Sequence, residues 1–227
     1  MQKRIAQKIT KAIVETGHPL LDFRSQEARE KTTWIKKFLK PYIPKNGLSL
    51  DLGCGTGKQS FAIEELGAQV VGIDCSEEAI AFANNIKEEL SSKCSFVVGD
   101  YTSTPFSEET FGLAVFPNNI IECSYDEAEK LSKEVRRILK NFGFFVLTME
   151  DGVKKIANEK NPEINFKNGA YTGKLRMPDG KSYNYPTYFW TIPFVKYIFK
   201  KQFKFIEEKD IDGKCTILIF QKILSKK

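Results

Sequence analysis

Between Leu48 and Asp74 the chain reads LSLDLGCGTGKQSFAIEELGAQVVGID, with Gly53, Gly55 and Gly57 packed between two apolar runs and an acid at the end of the second. Glycine lets a chain turn sharply and lets a ligand touch its backbone, and a helix start just beyond offers unpaired N–H groups. Asp74 follows about 20 residues after the loop, the distance at which a carboxylate at a strand end grips both hydroxyls of a ribose. Together these residues point to a nucleoside-containing ligand. A dinucleotide pattern, Gly-x-Gly-x-x-Gly, would place its third glycine where Lys58 stands; here it comes one position early. Asp51, just before the loop, is awkward beside a pyrophosphate and comfortable beside an ammonium or sulfonium. The expected ligand is therefore cationic near the loop.

Such a loop needs a strand before it and a helix after it. Short apolar runs alternate with helical stretches from Leu48 onward: LSLDL, a helix from Lys58 to Leu66, AQVVGID, a helix from Ser76 to Leu90, SFVVGD, FGLAVFP, a helix from Tyr125 to Lys140, then FGFFVLTME. That alternation predicts an α/β fold whose mostly parallel sheet is wound by right-handed crossovers. Upstream, apolar residues at helical spacing predict two N-terminal helices broken near TGHPLLDF, the second carrying Ala28, Trp34, Ile35 and Phe38. The rhythm lapses between Asp151 and Trp190, too long for a plain connector, which marks a functional insert or a small added sheet. Thr191 reads as a helix cap with Pro193 in the first turn, the helix reaching about Lys201. Two final strand-like runs joined at Asp212-Gly213 predict a closing antiparallel hairpin.

"LDLGCGTG", "VVGID", "VVGDYTSTPF" and the terminal hairpin closely resemble the class I S-adenosylmethionine-dependent methyltransferases, in sequence from about Leu48 to Met149 and in layout through the hairpin. The resemblance implies a Rossmann-like domain with a seven-stranded sheet and the cofactor S-adenosyl-L-methionine, leaving S-adenosyl-L-homocysteine as product. It implies that Asp51, Gly53, Cys54, Gly55 and Gly57 line the methionine part, that Asp74 binds the ribose, and that Cys75, Asp100 and Tyr101 lie at the adenine. Each has a plainer reading: a structural turn for the glycines, a helix cap for Asp74, a loop cap for Asp100, a surface aromatic for Tyr101, and simple packing for the two thiols.

Two features depart from the family pattern. Phe111-Gly112 stands where many members carry Phe-Asp. Phe116-Pro117-Asn118-Asn119 replaces the Asn/Asp-Pro-Pro-aromatic motif of enzymes that methylate exocyclic amines of nucleobases and glutamine. With a sulfonium the cofactor carries the hard chemistry, and the protein's task is to position an acceptor and exclude water. Asn118 and Asn119, after the fourth strand, are placed to hold cofactor or acceptor, or to cap the turn; Glu122 is a weaker candidate. His18, the single histidine, has the ordinary pKa of a general base and lies in the break between the N-terminal helices. Aromatic residues of the insert, among them Tyr171, Tyr183, Tyr185, Tyr188, Phe189 and Trp190, read either as the wall of an acceptor pocket or as packing of the extra strands.

Bulk properties bound the rest. At 227 residues, 41% hydrophobic and 28% charged, the chain fits one globular domain: an N-terminal helical cap over 1–45, a cofactor core over 46–150, an acceptor-side insert over 151–190, and a helix and hairpin over 191–227. Its five scattered cysteines form no Cys-x-x-Cys pair, which fits reduced thiols in a cytoplasm and no metal site. No apolar run approaches the roughly 20 residues of a membrane span. The net charge of +6 comes from residues 1–40, where ten Lys and Arg face four Asp and Glu, the remainder being neutral. A small-molecule methyl acceptor is the expected partner, with monomer and homodimer both open. Rival readings are an RNA or protein methyltransferase using the basic N-terminal helices, an inactive cofactor-binding module, and a nicotinamide-dependent dehydrogenase, the last disfavoured by the glycine spacing.

Overall fold

The computed structural model describes residues 22–150, 165–167, 170–176, 182–211, 213 and 215–224, without the side chains of Glu122, of residues 165–187 and of Phe189. His18, the first expected helix, most of the insert's linking segments and Asp212 of the hairpin turn lie outside those residues.

Helices α1 (Gln26–Glu30) and α2 (Thr33–Phe38) lead into β1 (Leu48–Leu52), α3 (Lys58–Glu64), β2 (Gln69–Asp74), α4 (Glu77–Leu90), β3 (Ser95–Val98) and β4 (Phe111–Pro117). A 3-10 turn (Asn119–Glu122) then precedes α5 (Tyr125–Ile138) and β5 (Leu139–Met149). The added strands β6 (Asn165–Lys167), β7 (Ala170–Arg176) and β8 (Ser182–Trp190) are followed by α6 (Ile192–Phe199), β9 (Phe203–Ile211) and β10 (Cys215–Lys222). The main sheet has seven strands in the order β3-β2-β1-β4-β5-β10-β9, and β6-β7-β8 form a separate sheet of three. β1 runs parallel to both β2 and β4, whereas β10 is antiparallel to β5 and β9. The strand order reverses at β1, so a crevice opens at the carboxyl ends of β1 and β4, where ligands of open α/β sheets bind.

Strand side chains alternate between two cores, which is why these strands read as unbroken apolar runs. Phe145 and Leu147 of β5, with Leu218 and Phe220 of β10, pack against Leu131 and Val135 of α5 and Val195 and Phe199 of α6. Val146, Ile217 and Ile219 face the other way, toward Phe23, Trp34, Ile35 and Phe61. Ser76 caps α4 by accepting from the Ala79 N–H at 3.2 Å, and Ser124 and Glu127 form a reciprocal capping box on α5.

The expected helix over Tyr125–Lys140 stops at Ile138. Leu139 takes an extended conformation and pairs with Phe111 as the first residue of β5. The segment expected as one helix around Trp34 is two short ones. Thr32 separates them, its hydroxyl donating to the Arg29 carbonyl at 2.8 Å in place of a helical continuation. Phe111-Gly112, expected just before the fourth strand, are its first two residues, and glycine there has a physical reason: a Cβ on Gly112 would lie 2.7 Å from Pro44 Cβ, so the connection before β1 leaves room only for glycine.

Candidate functional site

β1 and β2 are neighbours in the sheet, so the loop after one and the acid ending the other come together. Gly53, Gly55 and Gly57 all have positive φ, 66°, 53° and 81°. The loop's N–H groups are turned inward. Gly53 N and Cys54 N both donate to the Ile73 carbonyl, at 2.8 and 3.0 Å, and Gly57 N donates to Cys54 O at 2.9 Å. Gly55 N donates to Asp74 Oδ2 at 2.9 Å. Four donors that a pyrophosphate would need are thus committed within the protein, and the charged groups beside the loop are two acids, Asp51 and Asp74. A cation suits such a surface.

Asp74 is half-buried and accepts a second backbone bond, from Ser76 N to Oδ1 at 2.9 Å. Burial raises its pKa, opposed by the N–H groups of Ser76, Gly55 and Cys75. The helix-cap reading therefore has an observed bond, yet a carboxylate has about four lone-pair sites, and with three N–H groups on it one remains for a sugar hydroxyl. Asp51 is fully buried; Ser60 Oγ donates to its Oδ2 at 2.7 Å, while Oδ1 has no partner. Burial lifts its pKa to about 7; the Ser60 bond opposes the shift, the nearby Asp74 charge adds to it and Lys58 opposes it. A buried carboxylate oxygen without a donor is costly, and a ligand N–H or ammonium is what would satisfy it. The residues present fit a cationic nucleoside. Cys54 is buried beside both acids, and burial, with Asp51 and Asp74, pushes its thiol well above the ordinary range, so it packs and does not react. Cys75 is half-buried.

Asp100 Oδ1 accepts from Thr102 N and Thr102 Oγ1, both at 2.9 Å, the loop-cap arrangement. The Tyr101 ring stands edge-on to Phe116 at 5.1 Å, and its hydroxyl lies 3.5 Å from Cys123 Sγ, which turns it toward the end of β4. Asn119 reaches back to the glycine loop, its Nδ2 donating to Leu52 O at 3.0 Å and to Gly53 O at 2.9 Å. A Cβ on Gly53 would sit 2.3 Å from that nitrogen, so the close approach requires glycine. Asn118 points elsewhere. Its N–H donates to Thr148 O and Oγ1, both at 3.0 Å, and its Oδ1 accepts from Thr148 Oγ1 at 3.1 Å, with Cys215 Sγ at 3.4 Å.

The structure thus brings Asp51, Gly53, Cys54, Gly55, Gly57, Asp74 and Asn119 together, sets Tyr101 at the neighbouring strand end, and directs Asn118 toward β5 and β10. Two partners escaped the sequence reading, Ser60 under Asp51 and Thr148 under Asn118. Their signal is a lone hydroxyl in an apolar run, KQSFAI and FFVLTM. Trp190, expected in an acceptor wall or in packing, is buried, its indole N–H donating to Ile120 O at 2.9 Å and Cys123 O at 3.1 Å. All five cysteines are free thiols. Among the described residues no group of three His, Cys, Asp or Glu is arranged to hold a metal ion, and no helix is long and apolar enough to cross a membrane.

Comparison with known proteins gives the same picture. A family model described as a methyltransferase domain matches residues 50–143. The cypemycin N-terminal methyltransferase of a Streptomyces species is 34% identical over 104 residues, 45% of this chain and 41% of that protein. The match thus spans under half of that relative's length. A solved structure, the PH0226 protein of Pyrococcus horikoshii OT3, superposes with a TM-score of 0.79 at 26% identity, covering 90% of this chain and 96% of that one. The glycopeptide N-methyltransferase MtfA, solved with S-adenosyl-L-homocysteine, shares the fold, with a TM-score of 0.69 at 16% identity over 84% of this chain and 89% of that one. The strand order, the inward-bonded glycine loop and the sequence likeness across it converge: over residues 50–143 the chain is similar to the class I S-adenosylmethionine-dependent methyltransferases, and it has their fold.

Proposed function

We propose that this chain, working as one domain, transfers the methyl group of S-adenosyl-L-methionine to a small-molecule acceptor. The observation that carries the reading is the pair of acids at the glycine loop: Asp74 with acceptor capacity left, and Asp51 with a bare buried oxygen. Asp74 would hold the ribose. Asp51 and the backbone of Gly53, Cys54, Gly55 and Gly57 would hold the methionine end, and Cys75, Asp100 and Tyr101 the adenine. When bound, the cofactor supplies a methyl group already activated by its sulfonium.

The chain's own residues then have to orient an acceptor and keep water away, which is where most of the rate comes from in such a site. The acceptor stands over the ends of β1 and β4. Asn119 is nearest to that place, although its amide nitrogen is committed to the loop, which makes it a holder of the loop as much as a contact for the acceptor. His18, outside the described residues, is the candidate base for an acceptor that arrives protonated. A small molecule as acceptor is supported by the absence of the nucleobase-amine motif after β4. The Streptomyces relative is named for an N-terminus and the glycopeptide enzyme for a nitrogen, while a Kluyveromyces lactis relative is a sterol 24-C-methyltransferase, so an amine and a sterol carbon are the acceptor classes to try.

Calorimetric titration with S-adenosyl-L-homocysteine tests the cofactor. Replacing Asp74 by Ala removes hydrogen bonds from a charged acceptor and should weaken binding about tenfold or more; unaltered affinity would remove the ribose assignment. Methyl-labelled cofactor incubated with a cell extract tests the acceptor class. Label in the small-molecule fraction is expected, and label confined to RNA or protein would overturn that part of the reading.

A further inference from the structure

The 3-10 turn after β4 is the meeting point of three parts of the molecule. From one side Trp190, the last residue of β8 and 1% exposed, donates its indole N–H to the carbonyls of Ile120 and Cys123. Its ring is held in turn, stacked on Phe194 of α6 at 5.4 Å and on Tyr188 at 6.1 Å. From the other side the same turn sends Asn119 Nδ2 onto the carbonyls of Leu52 and Gly53. Cys123, which closes the turn, lies 3.5 Å from the Tyr101 hydroxyl. Asn118 enters the turn in the left-handed region, φ 57°, held there by Thr148. A 3-10 turn of four residues has little stability of its own, so its shape is set by donors from outside.

From this geometry we infer that Trp190 is a positioning residue for the cofactor loop, acting through Asn119: the indole N–H fixes the turn, and the turn holds the Asn119 amide against Leu52 and Gly53. The three-stranded sheet, whose last residue is Trp190, is thereby coupled to the glycine loop. Removing the indole N–H leaves the Ile120 carbonyl with the Cys123 N–H alone and takes a donor from the Cys123 carbonyl, and the loss of two buried hydrogen bonds loosens a turn whose shape depends on outside donors. The inference rests on the cofactor reading above and deepens it.

The test is a double-mutant cycle read by S-adenosyl-L-homocysteine affinity, with Trp190→Phe, Asn119→Ala and the pair. Each single change should weaken binding about tenfold, the effect of one or two lost hydrogen bonds. Because the two act along one path, the double variant should bind about as weakly as the worse single one. Losses that multiply to about a hundredfold, or a Trp190→Phe protein that binds like wild type, overturn the inference and leave the cofactor reading standing. Wild-type protein that takes up no S-adenosyl-L-homocysteine overturns both. Should Trp190→Phe fail to fold, hydrogen exchange of the indole N–H in the unaltered chain decides. The chain has two tryptophans, and a Trp34→Phe variant assigns their signals. S-adenosyl-L-homocysteine should slow exchange at Trp190 severalfold, and an unchanged rate overturns the inference.

Discussion

Asp51 has one oxygen bonded to Ser60 and one bare, inside a fully buried site. Its pKa is raised to about 7 from 3.8, so the folded state holds the proton more tightly than the unfolded one. The sign follows: between about pH 4 and 7 the folded protein binds more protons, and the ligand-free protein loses stability as pH rises through that window. Asp74 is shifted in the same direction and adds to the loss. Asp51→Asn keeps an acceptor for Ser60 and removes the buried charge. At pH 8, urea unfolding of the ligand-free variant should show it more stable than wild type, by at most about 4 kcal/mol at 1.36 kcal/mol per pKa unit. A ligand ammonium reverses the preference by favouring the ionised acid. Affinity for S-adenosyl-L-homocysteine should therefore rise from pH 6 to pH 8 in wild type and stay level in Asp51→Asn, and a level wild-type profile would show that no cation meets Asp51.

At the scale of elements, most of the architecture follows from rhythm. The runs LSLDL and FGLAVFP are β1 and β4 to the residue, because a strand buried on both faces announces itself as an uninterrupted apolar stretch. The boundary between α5 and β5 was not legible in this way. Leu139 and Lys140 continue the helical spacing, and what draws them into the sheet is pairing with β4, nearly thirty residues earlier. Gly112 is a similar case: its meaning lies in Pro44, which packs on it from the segment before β1. Gly112→Asp should cost about 1–3 kcal/mol by overpacking. Shortening Pro44 to Ala does not clear the contact, since Pro44 Cβ is the nearest atom, whereas Pro44→Gly should recover part of the loss. Chemical denaturation of the two single variants and the pair measures this; equal cost with and without Pro44 would mean that the contact is not the cause.

For the whole molecule, the basic surplus of +6 belongs to residues 1–40, yet in the described part of that segment Arg24, Arg29 and Lys36 face acids. Arg24 pairs with Asp22 and Glu89, and Arg29 and Lys36 both pair with Glu65. Exposed pairs of this kind add little stability, but they lower the charge offered to a polyanion. Gel shifts with a short RNA should therefore show no complex at 150 mM salt, and a complex there, fading steeply as salt rises, would favour the rival RNA reading. The same scale governs the aromatic core behind β5. Phe145 meets Phe199, Phe203 and Phe220 with centroids 5.2, 5.9 and 6.2 Å away, tying α6 and both strands of the closing hairpin to the sheet. Phe145→Ala should cost about 3–5 kcal/mol in urea unfolding, and a loss under about 1 kcal/mol would mean that this junction is not a close-packed core. By itself the sequence determined the fold class, the cofactor class and the acids proposed to meet it, because loop glycines, strand ends and their spacing are written within some twenty residues. The tertiary structure alone decided which groups are already engaged: Asn119 on Gly53 across 66 positions, Trp190 on Ile120 across 70, and the bare oxygen of Asp51. Periodicity records how a residue relates to its near neighbours, whereas a hydrogen bond between distant loops exists only once the sheet has set their strands side by side.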